Sequence, residues 1–154
     1  MDDLLRHTVA TVAYRANKAL QNAPAEFAHF QVQPGGRTPI EILAHMGDLF
    51  DWALSLADGK HKWHEAPPLP WDQEVTRFHA ALHAFDQRLS SGEPLGYPAA
   101  QLFQGPIADA LTHIGQIAML RRLADCKIRG ENYFKAEITI GRVGADQATP
   151  VVEF

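Results

Sequence analysis

The feature that most constrains the fold is a spacing of apolar residues by three and four positions, which recurs in four long segments. In the first, from residue 2 to about residue 22, the recurring residues are Leu5, Val9, Val12, Ala16 and Ala19. In the third, from Trp71 to about Leu89, they are Val75, Phe78, Leu82, Phe85 and Leu89. Because an α-helix turns once in about 3.6 residues, each set lies on one helix face. The sequence predicts an all-α protein, a four-helix bundle whose topology the pattern leaves open.

The second segment begins with a strong helix-start signal, the sequence Thr38-Pro39-Ile40-Glu41. In such a capping box the threonine hydroxyl accepts a backbone hydrogen bond, the glutamate reaches back, and proline fits the first helical position. We expect this helix to end near Ala57, where Gly59 supplies a left-handed cap. A stripe of solvent-facing residues is expected along it: Glu41, Asp48, Asp51, Ser55 and Asp58.

The fourth segment, expected to open at Pro106 and to end near Ala124, is the most informative. Up to Leu120 its residues are apolar or small, with four exceptions: Asp109, Thr112, His113 and Gln116. A helix that is apolar all round is a buried helix. The stripe that contains Asp109, His113 and Gln116 is therefore expected to face the core.

The rest of the chain is predicted to form connections and a tail. Proline- and glycine-rich connections fall at about residues 23–36, 60–70 and 90–105. After Cys126 apolar and polar residues alternate, so the tail, residues 125–154, is expected to be extended and to lie on the bundle. The tail is expected to cover the helix of the fourth segment and to narrow access to the polar stripe. The apolar residues that would do so are Phe134, Ala136, Ile138 and Ile140. We expect a single domain over residues 1–154, with the core helices within about residues 2–124.

Composition narrows the possible partners. Hydrophobic residues make up 46% of the chain, and 18 acidic against 14 basic residues give a net charge of −4. Nucleic-acid binding needs many cations on one face, and the basic residues form no cluster longer than Arg121-Arg122. No apolar run reaches the length that spans a bilayer, and the first residues, MDDLLRH, are acidic where a secretory signal is basic. With Cys126 as the only cysteine, we expect a cytoplasmic protein that contacts neither nucleic acid nor membrane.

Two helices carry the candidate metal ligands. Asp109 and His113 stand four positions apart, a spacing that directs two side chains of one helix to a common centre. His45 lies at the edge of the apolar face of helix 2, where a neighbouring helix would cover it. Together they would make a site with three protein ligands and open positions. The alternative is a hydrogen-bonded Asp109–His113 pair in the core and a core-edge His45. Gln116 and Asp48 are one turn from His113 and His45, where they could hold a ring N–H.

The other histidines and the tryptophans are expected to lie at the surface or to pack in the fold rather than to bind a metal. His79 and His83 flank the apolar seam of helix 3 and predict a solvated helix face, while His61 and His64 belong to a surface loop. The tryptophans are expected to be packing anchors, although any of them could wall the open side of the site: Trp52, Trp63 and Trp71.

Residues 37–54, RTPIEILAHMGDLFDWAL, and residues 105–124, GPIADALTHIGQIAMLRRLA, carry a resemblance. They resemble the DinB/YfiT-like superfamily of bacterial four-helix proteins, as does, more weakly, the tail segment NYFKAEITIGRVG. Members have a histidine in the second helix and an H-x-x-x-H pattern before a Gly-Gln pair in the fourth, which bind nickel, zinc or a similar ion. The resemblance implies that His45 and His113 are metal ligands. It assigns the third position to Asp109, where the family usually has histidine.

The same resemblance implies a metal-dependent transferase that uses a low-molecular-weight thiol, such as bacillithiol or mycothiol, to attack a small electrophile. A metal can also lower the pKa of bound water to about 7, so a hydrolase is the alternative enzyme. An alternative of another class is a non-catalytic helical module for metal binding or interaction. The expected cofactor is a divalent transition metal, zinc or nickel first, with iron or manganese compatible with an aspartate ligand. The expected partners are a small-molecule substrate and a second copy in a homodimer.

Overall fold

Four long helical stretches make up most of the protein, in a computed structural model that describes residues 2–154 and, of Asp2, only the backbone. They are α1 (Asp2–Leu20), α2 (Pro39–Ala57), α3 (Trp71–Ser90) and a last stretch formed by α4 (Ala99–Leu102), a π-helical turn (Phe103–Ile107) and α5 (Ala108–Leu123). Short 3-10 turns occupy Ala25–His29 and Tyr133–Lys135. The described residues contain no strand, only an isolated bridge between Glu131 and Glu153. The expected all-α class is confirmed.

The core forms where the predicted apolar faces of α1, α2 and α3 meet. The α2–α3 interface is the most extensive in the molecule. At its centre the ring of Phe50 lies 5.9 Å from that of Phe78 and 6.1 Å from that of Phe85. The 3-10 turn between α1 and α2 adds Phe27, whose ring contacts that of Trp71 edge-on at 5.8 Å. The residues of the predicted faces of α1 and α3 are buried, with Val75 partly buried against the core, so both faces are confirmed, and Trp71 is a packing anchor.

The start and end of α2 follow the sequence signals. The Thr38 hydroxyl accepts from the Glu41 N–H, and the Glu41 carboxylate accepts from the Thr38 N–H. After Ala57 the chain turns through Gly59, whose φ of 73° lies in the left-handed region that favours glycine. The predicted solvent stripe is correct for Glu41, Asp51 and Asp58. It is wrong for Asp48, which is buried because Arg77 and the loop before α3 cover it.

The last helical stretch begins earlier than Pro106, so that prediction is wrong. Pro98 precedes its first turn, and the chain is already helical from Ala99. Proline inside a helix removes a hydrogen bond and crowds the preceding turn, and here Pro106 lies in the wider π-helical turn. Apolar periodicity and a proline at residue 106 are typical of a helix start. Here the π-helical turn accommodates Pro106, so the helix continues through this residue.

The expectation that the helix of the fourth segment, observed as α5, is buried all round is also wrong. Ala110, Ile114 and Ile117 of α5 face the core. A second face is exposed: Thr112, Gly115, Gln116, Met119 and Leu123. The reason is that α5 packs between α1 and α2, which cover two of its sides and leave the third open. The stripe that begins with Asp109 and His113 therefore runs along the edge of the α2–α5 interface and out to solvent.

Residues 125–154 pack along α1. They do not cover α5, the helix of the fourth segment, as was expected. Glu131 is buried and accepts hydrogen bonds from the Tyr14 hydroxyl and the Lys18 ammonium, and Val143 is 2% exposed within the core. Phe134, expected to cover α5, is 96% exposed. The ion pairs with α1 fix the direction of this segment, which an alternating pattern could not reveal. Among the described residues no helix is both long enough and apolar enough to cross a membrane.

Candidate metal centre

The interface between α2 and α5 brings three candidate ligands together. His45 lies in the second turn of α2, while Asp109 and His113 lie in the first two turns of α5. One Asp109 carboxylate oxygen is 3.3 Å from His113 Nε2, and the other is 3.5 Å from His45 Nε2. The two imidazole rings stand at 86° to each other with their centroids 4.8 Å apart. Helix packing thus brings His45 against Asp109, 64 positions further along the chain, with His113 beside them.

The donor set and its spacing fit a metal ion. Each of the three residues offers one ligand atom, and these atoms all lie within 4.8 Å of one another. Zinc binds nitrogen and oxygen ligands at about 2.0–2.2 Å, which places neighbouring donors of a tetrahedron roughly 3.4 Å apart. Two imidazoles and one carboxylate are a ligand combination found for divalent transition metals. The group of His45, Asp109 and His113 could therefore hold a divalent ion.

Gln116 orients one of the imidazoles. Its side-chain oxygen lies 2.7 Å from His113 Nδ1. Because an amide oxygen can only accept, Nδ1 donates to it, and in the neutral ring Nε2 is then the nitrogen with a lone pair. That lone pair is on the ring edge that faces Asp109. Gln116 thus has the contact that the sequence predicted for it.

Asp48 makes different contacts from those expected. Its two oxygens accept hydrogen bonds from Arg77 Nη2 at 3.0 Å and from the Ala66 N–H at 3.4 Å. Within the described residues it makes no hydrogen bond to the His45 ring. The expected bond is absent because the arginine of α3 and the loop before α3 occupy the carboxylate.

The surroundings favour a neutral His45. Burial lowers its pKa, and the neighbouring His113 lowers it further, while the contact with Asp109 acts in the opposite direction. The positive charge of Arg37 also lowers it. A histidine ligates through a neutral ring, so these effects keep His45 in the form that can bind a metal.

Arg77 fastens the loop that borders the site, and sequence reasoning missed this role. Its guanidinium bonds Glu74, Asp51, Asp48 and the Ala44 carbonyl. The fully buried Glu74 accepts from the Leu69 N–H, as Asp48 accepts from the Ala66 N–H. One cation therefore compensates two buried carboxylates that hold the loop of residues 60–70. The signal in the sequence is Gly47: a Cβ there would lie 2.8 Å from Arg77 Cζ.

This loop supplies an aromatic wall to the site. The Trp63 ring lies 5.6 Å from the His45 ring and 5.8 Å from the Trp52 ring, so Trp63 is the tryptophan at the open side. Beside them is a groove of about 540 Å³, to which His45 contributes one wall. The connection before α2 and the loop before α3 form its sides: Gly35, Gly36, Arg37, Glu65, Ala66 and Pro68.

The remaining histidines lie outside the cluster. His83, His61 and His64 are exposed, as expected, and the His61 ring contacts Trp52 at 5.6 Å. His79 is half-buried with its Nε2 atom enclosed, so the prediction of a solvated face is wrong for this residue, which lies against Phe78.

No model of a protein family, no curated protein and no solved structure matches the chain. The resemblance to the DinB/YfiT-like superfamily stays a hypothesis.

Proposed function

We propose that this chain is a metal-dependent thiol transferase built on a DinB/YfiT-like four-helix bundle, with a divalent ion held by His45, Asp109 and His113. The observation that carries the proposal is the convergence of two imidazole nitrogens and a carboxylate oxygen, one of them on His45, which also lines a groove. Zinc and nickel are the first candidates, because imidazole suits them, and the carboxylate also admits iron or manganese.

The number and exposure of the ligands support a catalytic type of site. Structural zinc sites are closed by four protein ligands, whereas catalytic sites use three and keep a position for water or substrate. The Asp109 side chain is 45% exposed, against 20% for His45 and 10% for His113. A small molecule can therefore reach the centre from the carboxylate side.

The state of the nearby carboxylates favours thiol chemistry over hydrolysis. A free base near the attacking water would speed hydrolysis. Two of the three carboxylates that line the groove are occupied, Asp48 by Arg77 and the Ala66 N–H and Glu41 by the N–H and hydroxyl of Thr38. The third, Glu65, is exposed and accepts from the Trp63 indole N–H at 3.4 Å. A bound divalent ion would act as a Lewis acid that lowers the pKa of a thiol. The thiol proton would pass to solvent, the sulfur electron pair would form the bond to the electrophilic carbon, and the leaving group would depart with the electrons of the broken bond.

A cobalt-loaded protein provides the test. We expect untagged protein loaded with Co²⁺ to develop a near-ultraviolet absorption band on titration with cysteine, saturating near one thiol per ion. The loaded protein should also speed alkylation of cysteine by iodoacetamide at pH 7, where most free thiol is protonated. His113→Ala should abolish both effects, and His83→Ala, which changes an exposed histidine outside the cluster, should preserve them.

Three results would overturn the proposal. Cobalt that binds without any spectral response to cysteine would exclude thiol coordination. A thiol that binds but is alkylated no faster would make the protein a non-catalytic metal-binding module. Metal-dependent ester hydrolysis with no acceleration of thiol alkylation would make it a hydrolase.

A further inference from the structure

Arg37 occupies the junction of two grooves beside the candidate metal centre. On one side it lines the polar groove that contains His45. On the other it lines a more apolar groove that contains Gln116, the hydrogen-bond partner of His113. Arg37 therefore borders both grooves, one lined by the ligand candidate His45 and the other by the residue that orients His113.

The backbone around Arg37 is held in place. The Gln31 side chain donates to the Gly36 carbonyl, and the Gly36 N–H donates to the Gln33 carbonyl. The next residue, Thr38, is fixed by the capping box of α2. Arg37 thus projects from a structured turn, although its own side chain is exposed.

Arg37 is also the cation of this groove that has not been neutralised. In the part of the chain that the structure describes, its side chain forms no hydrogen bond or ion pair, whereas Arg77 has four partners. The groove carboxylates of Glu41 and Asp48 are already hydrogen-bonded to other groups. Glu65 is exposed and accepts weakly, at 3.4 Å, from the Trp63 indole N–H. A carboxylate that entered the groove would meet a free planar guanidinium, the geometry that binds carboxylates with two parallel hydrogen bonds.

We propose that the thiol substrate carries a carboxylate and that Arg37 binds it while the sulfur reaches the centre formed by His45, Asp109 and His113. This inference rests on the proposed function, because it assigns the part of the thiol substrate that the protein recognises. Arg37 would increase the affinity for a thiol that carries a carboxylate. A thiol of the same skeleton without that charge would gain no affinity from Arg37.

The test compares 3-mercaptopropionate with its methyl ester, two thiols of the same skeleton that differ in the carboxylate. Their dissociation constants for cobalt-loaded protein are measured from the near-ultraviolet band. We expect Arg37→Gln to weaken binding of the acid relative to the ester by about 1.5-fold to fivefold, the range for an exposed charge pair. Arg37→Lys should keep part of the preference. Arg122→Gln, which removes an exposed arginine at the far end of α5, is the matched control and should keep all of it.

The outcomes separate this inference from the proposed function. Binding of both thiols with an acid preference that Arg37→Gln leaves unchanged would overturn the role of Arg37 and leave thiol coordination intact. Binding of neither thiol to protein that has taken up cobalt would overturn the proposed function and, with it, this inference. A preference lost equally in Arg37→Gln and Arg122→Gln would show attraction by net charge alone and would also overturn the role of Arg37.

Discussion

At the scale of single residues, Asp109 connects the two histidines of the candidate centre, one on α2 and one on α5. Its oxygens face both histidines, at 3.3 and 3.5 Å, and its side chain is 45% exposed. Its stripe was expected to face the core, and for Asp109 this expectation is wrong. Because the Asp109 carboxylate is partly solvated, its charge has a small desolvation cost and requires no cation. The reason to treat Asp109 as a ligand is its position between two imidazoles.

Replacing Asp109 tests that role. We expect Asp109→His to keep about one ion per chain and to shift selectivity from manganese toward nickel and zinc, because imidazole suits the latter ions. Competition dialysis against equal concentrations of the three metals measures the shift, with the exposed tail variant Glu137→Ala as control. Unchanged selectivity in Asp109→His would show that the carboxylate does not contact the ion.

His79 gives a prediction about pH. Burial lowers its pKa, and the hydrogen bond with the Val75 backbone offsets this only in part. The unfolded chain, with a histidine pKa of about 6.5, then binds more protons than the folded chain, so stability falls as pH drops below that value. We expect His79→Gln to lose less stability between pH 7 and pH 5, measured by urea unfolding. The exposed His83→Gln on the same helix is the control, and an equal change in both variants would contradict the assignment.

At the scale of elements, Gly47 allows α2 and α3 to approach around Arg77. A Cβ at residue 47 would lie 2.8 Å from Arg77 Cζ, and moving the guanidinium would break bonds to buried Asp48 and Glu74. We expect Gly47→Ala to destabilise the protein by about 1–3 kcal/mol despite the better helix propensity of alanine. Chemical unfolding measures the change in the free energy of unfolding.

Gly115 offers the matched control for this substitution. It is also a helical glycine, but a Cβ there would have no neighbour within 4 Å. Gly115→Ala should therefore stabilise by up to about 1 kcal/mol. Equal effects at residues 47 and 115 would contradict the clamp around Arg77.

The elements also show what the sequence can and cannot predict. The capping box at Thr38 and the seam of α3 depend on neighbours in the chain, so both were predictable. The same holds for the pairing of Asp109 with His113 on one helix, and the covering of His45 followed from its edge position. The π-helical turn at Pro106, the open face of α5 and the partners of Arg77 depend on which helices become neighbours. No local pattern encodes that choice.

For the whole molecule, the segment after α5 is tied to α1 by buried charges. Lys18 is 7% exposed and pairs with both Glu131 and Glu153, while Tyr14 donates to Glu131. Burial raises the pKa of Tyr14, and the hydrogen bond to Glu131 raises it further, so the phenol keeps its proton. These contacts connect residues more than a hundred positions apart and make the final segment part of the fold.

Removing the central carboxylate tests this connection. Glu131→Ala leaves a buried ammonium with one partner, and breaking a buried pair costs about 3 kcal/mol or more, which lowers Tm by roughly 6–12 °C. Asp146→Ala removes a carboxylate of the same segment that is 98% exposed and should leave Tm almost unchanged. Thermal unfolding followed by circular dichroism measures both, and equal Tm values would show that the segment does not contribute to stability.

The central claim is that His45, Asp109 and His113 hold a divalent ion, and elemental analysis of untagged protein tests it most directly. After supplementation with zinc or nickel and exhaustive dialysis, the unaltered chain should retain about one ion, and His45→Ala and His113→Ala should retain little, since each lacks one of three ligands. His83→Ala should match the unaltered chain. Negligible metal in the unaltered chain, or equal metal in the His113→Ala variant, would contradict the account.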